Sequence, residues 1–266
     1  MKKLQVILTS LLVCFCLIAF GQNAKPSVKK AAVPAKKTTV ATKGTTNNTL
    51  TAKEKKEGFV LLFDGKTTND WHGYNLKTFP EKGWEVKDGL LHCIGSGNGE
   101  AGGGGDIVTD EKFKDFELKL DWKISEGGNS GIFILAQEKP GQPIYYSSPE
   151  MQILDNDRHP DAKLGKDGNR KAGSLYDLIP AKPQNTKPAG QWNKVTITCY
   201  QGTVVYNQNG ANVVEYHLWT DAWKKMVSDS KFKDWADFIN VAHEGLIGLQ
   251  DHGNDVWFKN IKIKKL

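Results

Sequence analysis

The chain holds few cysteines and, beyond its first twenty residues, no long apolar run. There are four cysteines in 266 residues, and Cys14 and Cys16 lie inside the apolar stretch Leu4–Phe20. Neither is followed by the polar residues that would follow a lipidated cysteine. That leaves Cys93 and Cys199, both in strand-like runs; they form either one bridge in an oxidising compartment or two buried free thiols. No later segment is apolar for long enough to cross a bilayer, so no stable membrane span is expected once the leader is removed. The Gly-rich stretch 95–105 lacks the Lys-Ser/Thr that closes a phosphate loop, which makes it an inter-strand loop. No His-x-x-x-His pair exists to hold a metal, and Ser130 lacks the Gly-x-Ser-x-Gly setting of a nucleophile. No metal or other cofactor is therefore assigned.

What the chain does have begins at its N-terminus. Lys2 and Lys3 precede the apolar run, and Ala19-Phe20-Gly21 offers small residues for cleavage. Residues 1–21 are expected to be a secretory signal peptide, and the protein to be exported to the periplasm or the medium. Residues 22–56 are built from Ala, Lys, Thr, Pro and Asn with almost no large apolar side chains. Such a segment cannot bury enough surface to offset its ordering entropy and is expected to be a disordered tether. It also accounts for the basic balance. Of 36 Lys+Arg and 30 Asp+Glu, residues 1–56 hold eleven Lys and one acidic group. The remainder carries 25 basic against 29 acidic groups, a net −4, so nothing recommends nucleic acid as a partner.

Residues 57–266 suffice for one domain with a sizeable core, and all eight Trp fall there. The periodicity is mostly two. Phe116, Leu118, Leu120, Trp122 and Ile124 alternate with charged residues, as a half-buried antiparallel strand requires. Val195, Ile197 and Cys199 alternate in the same way, and Asn209-Gly210 marks a hairpin with a primed turn. Val256 and Phe258 run in one phase and Ile261 and Ile263 in the other, which predicts a bulge at Lys259-Asn260. Further short strands fit residues 59–63, 84–87, 90–94, 131–137, 151–154 and 246–250. The whole is an all-β sandwich or jelly roll. Residues 221–241 break the pattern: Trp223, Met226, Val227, Trp235 and Phe238 predict a short helical insertion that packs its aromatics on the sandwich, or else serves as a lid.

Three tracts carry candidate chemistry. In 149–157, Glu150, Gln152 and Leu154 share one face of a strand, Met151 and Ile153 the other, and Asp155 stands at its exit. A carboxylate and an amide side by side on a rigid sheet suit a sugar, though an ordinary solvated edge strand would look the same. In 248–253, Leu249 points to the core while Gln250 and His252 share the opposite face; His252 is an acid–base group or a turn-capping histidine. In 127–133, Asn129 and Ser130 line a cleft or merely form a turn. The other histidines, His159 among them, receive no role.

Taken in order, these tracts resemble the 3-keto-disaccharide hydrolase family. The matching residues are Leu62-Phe63-Asp64-Gly65-Lys66 with Trp71, then Trp84, Asp88-Gly89 and Leu91, and Phe116-Glu117-Leu118. Gly128-Asn129-Ser130-Gly131-Ile132, Glu150-Met151-Gln152-Ile153-Leu154-Asp155, Gln191-Trp192-Asn193 and Asn209-Gly210 follow. The set ends with Gly248-Leu249-Gln250-Asp251-His252-Gly253 and Val256, Phe258, Asn260 and Ile261. The resemblance implies a concanavalin-like jelly roll that acts on an oxidised mono- or disaccharide glycoside, with a ketone at C3, by hydrolysis or 1,2-elimination. It implies His252 or Asp155 as the base, Glu150 and Lys259 as supporting acid or electrophile, and Gln152, Gln250, Asn129 and Ser130 as substrate contacts. Leu135 and Lys259 stand where many relatives carry Arg. A non-catalytic glycan-binding module of the same fold, with Trp71, Trp84 and Tyr145-Tyr146 as aromatic platforms, is the alternative. It is distinguished by whether Glu150, Asp155 and His252 meet in one pocket.

Overall fold

Alternating burial along its strands shapes the molecule. In the computed structural model, which describes residues 47–98 and 102–266, every second residue of Phe116–Ile124 is buried. Two antiparallel sheets close over these side chains. The larger runs β11 (Ala211–His217), β10 (Thr203–Gln208), β9 (Asn193–Tyr200), β6 (Phe116–Ile124), β13 (Val256–Lys265), β4 (Leu90–Cys93) and β3 (Trp84–Lys87). β1 (Val60–Leu61) pairs the far half of β13. The smaller sheet runs β2 (Trp71–Gly73), β5 (Ile107–Thr109), β12 (Leu246–Leu249), β7 (Asn129–Ala136) and β8 (Glu150–Leu154). This is the concanavalin-like jelly-roll sandwich expected from the sequence. Trp122, Phe116, Leu118 and Phe258 of the large sheet and Ile132, Met151, Ile153 and Leu249 of the small one fill the space between.

The hairpin turn at Asn209-Gly210 has positive φ at both residues, as a type I′ turn demands. The β13 register slips between Lys259 and Lys262 against β6, with Asn260 at φ 56°, so the predicted bulge is present. The insertion forms two short helices, α2 (Asp221–Ser228), capped by Thr220, and α3 (Ala236–Ile239). Trp223, Phe232 and Phe238 pack into the main core. Cys93 and Cys199 are both buried and free. Among the described residues no helix is long and apolar enough to cross a membrane.

The expected tether ends earlier than residue 56. Thr51 caps a one-turn helix, α1 (Ala52–Lys56), in a reciprocal capping box with Glu54. Asn48 is buried; its backbone N–H donates to Asn260 Oδ1 at 2.7 Å, and Asn260 N–H donates to Asn48 Oδ1 at 2.8 Å. Lys262 Nζ reaches Glu54 Oε1 at 2.6 Å. Residues 47–56 therefore belong to the folded unit: side-chain pairing with the β13 bulge replaces the apolar burial that the segment lacks. The expected signal peptide and the remainder of the tether lie outside the described residues.

Candidate functional site

The strands of the small sheet turn one set of side chains inward and the other outward. On β8, Met151 and Ile153 enter the core, while Glu150 and Gln152 face out. On β12, Ile247 and Leu249 face in, and Gln250 follows the outward set. Antiparallel pairing places Phe133 opposite Glu150, Gly131 opposite Gln152 and Asn129 opposite Leu154. The outward face thus carries an amide–carboxylate patch made of Asn129, Glu150, Gln152 and Gln250, with His252 beside it. The patch floors a cavity of about 260 Å³. All four floor side chains are at least nine-tenths buried. The amide oxygens of Asn129, Gln152 and Gln250 are buried without a hydrogen-bond partner among the described residues. An unpaired buried acceptor is costly, so three in one cavity suit a ligand rich in hydroxyl donors.

One wall is aromatic. Tyr146 and Trp235 stack with centroids 4.2 Å apart, and Tyr145 lies 5.7 Å from Trp235. Phe232 and Phe238 continue that wall, so the helical insertion both packs on the sandwich and encloses the cavity. Tyr176 and Lys231 complete it. Burial pushes the Tyr176 phenol well up, and the carboxylates of Asp161 and Glu150 add to this; the phenol is a proton-bearing donor at any ordinary pH. Burial pulls the Lys231 ammonium below its ordinary value, against the opposing pull of Asp177. Behind the wall, Arg170 bridges Asp177 Oδ1 (2.5 Å) and Asp161 Oδ1 (2.8 Å).

The turn that carries Gln250 and His252 is held by the residue between them. Asp251 is buried, and its Oδ2 accepts from the backbone N–H groups of Gly103, Gly104 and Gly105 at 2.8, 2.9 and 3.1 Å. Its Oδ1 accepts from Gly253 N–H at 3.0 Å. A Cβ at Gly102 would stand 2.4 Å from the same carboxylate, so the glycines permit this close wrapping. The Gly-rich loop is an anion nest after all, filled by the protein's own carboxylate.

Nothing in the sequence assigns His159 a role, yet its ring lies 6.4 Å from that of His252, edge to face. Burial lowers the His159 pKa, a shift the nearby His252 reinforces while Asp161 and Asp155 oppose it.

Not all expected site residues arrive at the cavity. Glu150, Gln152, Gln250, Asn129 and His252 line it. Asp155 does not: its carboxylate is 1% exposed and accepts from Gly127 N–H at 2.7 Å and Asp157 N–H at 3.1 Å. Holding a turn closed is what an aspartate at a strand exit does best, and that displaces its expected role as base. Ser130 is fully buried and donates to Gln250 O at 2.9 Å, which ties β7 to the Gln250 strand end instead of reaching a ligand. Lys259 sits on the large sheet, opposite Asp121, with Nζ 4.2 Å from the Trp192 ring centroid. The phase of β13 directs it outward there, away from the cavity; the cation at the cavity is Lys231. Leu135 is core. Trp71 and Trp84 are buried, their indole N–H groups donating to Leu62 O and Gly105 O, so neither is a platform. Tyr145 and Tyr146 do line the cavity.

Known proteins share this architecture and much of this sequence. A curated Bacteroides thetaiotaomicron protein, a 3-keto-disaccharide hydrolase, is 54% identical over 230 residues, covering 79% of either chain. A crystal structure of a "putative glycosyl hydrolase" from Parabacteroides distasonis ATCC 8503 superposes with a TM-score of 0.73 at 31% identity, over 83% of this chain and all of that one. A second such structure from the same organism gives 0.60 at 27% identity, over 78% and 99%. Residues 58–264 match the family described as the 3-keto-alpha-glucoside-1,2-lyase-like domain, and the chain belongs to that family.

Proposed function

We propose that the protein is an exported carbohydrate-active enzyme that cleaves glycosides whose sugar has been oxidised to a ketone at C3. The observation that carries this reading is the meeting of Glu150 and His252 with the amides of Asn129, Gln152 and Gln250 in one cavity. The 54% identical relative supports a carbohydrate hydrolase, and its name supports the keto sugar.

A C3 ketone acidifies the hydrogen at C2. His252, which lines the cavity and is partly exposed, removes it as general base. The electron pair passes to the ketone oxygen as an enolate, which expels the C1 substituent; Glu150 is the second acid–base group, placed to protonate the leaving oxygen. That is a 1,2-elimination, and addition of water across the new double bond makes the net change a hydrolysis. The buried amide acceptors take the sugar hydroxyls. The Tyr146–Trp235 wall provides the apolar surface on which a sugar ring rests. An aromatic wall alone would favour a binding module; Asp155 stays outside the cavity, and the meeting there of the other two ionisable groups, Glu150 and His252, favours catalysis.

Incubation with 3-keto-trehalose or a 3-keto-glucoside tests the reading, with aglycone release as the measure and deuterium incorporation at C2 reporting proton abstraction. His252→Ala and Glu150→Gln are each expected to slow release by about 100-fold or more. Equal rates in both variants and wild type would remove the assignment. Export, which rests on the Leu4–Phe20 run, is tested by the mass of the mature N-terminus.

A further inference from the structure

We propose that Lys231 binds the ketone oxygen of the substrate, donating a hydrogen bond to it and stabilising the negative charge that gathers there when the C2 proton leaves. This rests on the function proposed above and adds the residue that makes the site selective for oxidised over unoxidised glycosides.

An enolate needs a fixed positive charge or strong donor at its oxygen. Among the residues lining the cavity, Lys231 is the one lysine or arginine. It lies in the turn between α2 and α3, not on the sheet that carries Glu150 and Gln152. Its aromatic and carboxylate neighbours favour the ammonium without using up its donors. Nζ stands 4.3 Å from the Tyr176 ring centroid and 5.1 Å from that of Phe232, at cation–π distance. Its carboxylate neighbour, Asp177 Oδ2, is 3.7 Å away, an ion pair beyond hydrogen-bond length. Asp177 spends its other oxygen on Arg170, which also holds Asp161. An ammonium has three N–H groups, and this loose pairing leaves them available to a ligand.

The charged and titratable groups acting on Lys231 are Asp177, Glu150 and Asp161, which favour its ammonium, and Arg170, which opposes it; Tyr176 packs against it. Burial outweighs the carboxylates, so the amine titrates below a free lysine. Activity is then lost at alkaline pH as the ammonium gives up its proton, and an arginine at this position, which keeps its charge, moves that limb upward.

The test compares wild type, Lys231→Met and Lys231→Arg on one 3-keto-glucoside from pH 5 to 10. It adds inhibition by the matching unoxidised glucoside. Lys231→Met is expected to lose about 100- to 1,000-fold in kcat/KM. It should bind the unoxidised glucoside as wild type does. Lys231→Arg should retain part of the rate and shift the alkaline limb upward. Wild-type kcat/KM in Lys231→Met, or an alkaline limb unmoved in Lys231→Arg, overturns the proposal while leaving the proposed function standing. A wild-type enzyme that turns over no 3-keto-glycoside overturns both. Should Lys231→Met fail to fold, judged by its melting curve, the arginine variant's pH profile decides alone.

Discussion

Glu150 lies directly across the face of Gly131. A Cβ built on Gly131 would stand 2.3 Å from Glu150 Oε1 and 2.8 Å from its Cγ and Cδ. The strand residue opposite Gln152 must therefore be glycine for the Glu150 carboxylate to lie where it does. Gly131 has ordinary strand φ, so alanine there meets no backbone strain, only the carboxylate. Gly131→Ala is expected to cost about 1–2 kcal/mol of stability by overpacking. Displacing an acid–base group by an ångström should also lower kcat about 100-fold. A double-mutant cycle checks the cause. In a Glu150→Ala background the same glycine change should cost nearly nothing in urea unfolding. An unchanged cost would place the clash elsewhere.

Asp251 makes a second prediction. Its carboxylate satisfies three loop N–H groups with Oδ2 and a fourth with Oδ1, inside a site that is 2% exposed. Asp251→Asn turns an NH₂ toward donors or leaves them bare. The loss should be about 3 kcal/mol, the cost of orphaning buried charge-assisted bonds. Because Gln250 and His252 flank Asp251, activity should fall further than stability does. Urea unfolding and turnover measured on the same sample separate the two. A variant as stable and active as wild type would show that the nest does not position the turn.

Those two relationships mark where sequence stops being informative. Period-two burial is local, so β6, β9 and the hairpin at Asn209-Gly210 are legible, and so is the bulge, because a phase shift between Phe258 and Ile261 is written in the chain itself. β2 and β5, three residues each, are too short to show a period. Asn48 pairs with Asn260 across 212 positions, and nothing local distinguishes it from the polar residues around it. The same limit governs the site. Gln152, Gln250 and His252 were readable as outward faces of strands that the core fixes. Lys231 was not, since it reaches the cavity from a turn whose direction the packing of Trp223, Phe232 and Phe238 decides. Asp155 and Lys259 mislead for the opposite reason: each has the right chemistry next to the right strand, but one is consumed by turn N–H groups and the other faces outward from the larger sheet.

The two thiols should be silent in the folded protein. Burial pushes the Cys199 thiol up to about 12. Burial raises Cys93 further still, with the Asp251 carboxylate contributing. A thiolate is the reactive species, so both side chains should resist alkylating reagents at pH 8. Treatment with iodoacetamide is expected to leave Cys93 and Cys199 unlabelled in buffer and to label both in denaturant without reductant. A requirement for reductant would instead reveal a bridge.

The pair Glu54–Lys262 gives the fold an acid-sensitive joint. Burial alone would raise the Glu54 carboxyl, but the Lys262 ammonium at 2.6 Å and the backbone and hydroxyl of Thr51 outweigh it, and the pKa falls from 4.5 to about 2. A carboxyl with a depressed folded pKa contributes stability that is present in full above its unfolded value. That contribution is lost as the pH drops through the folded one. The contribution of this pair should therefore fade between pH 4.5 and about 2. Glu54→Gln removes it at every pH. The variant should be less stable than wild type at pH 6, and the gap should close steadily at pH 4, 3 and 2 in urea titrations. Because α1 is held to β13 by this contact and by Asn48, removing residues up to 56 should lower the melting temperature more than Glu54→Gln does. A truncation that melts with the full chain, or a gap that stays constant with pH, would show that the segment rests on the domain without stabilising it.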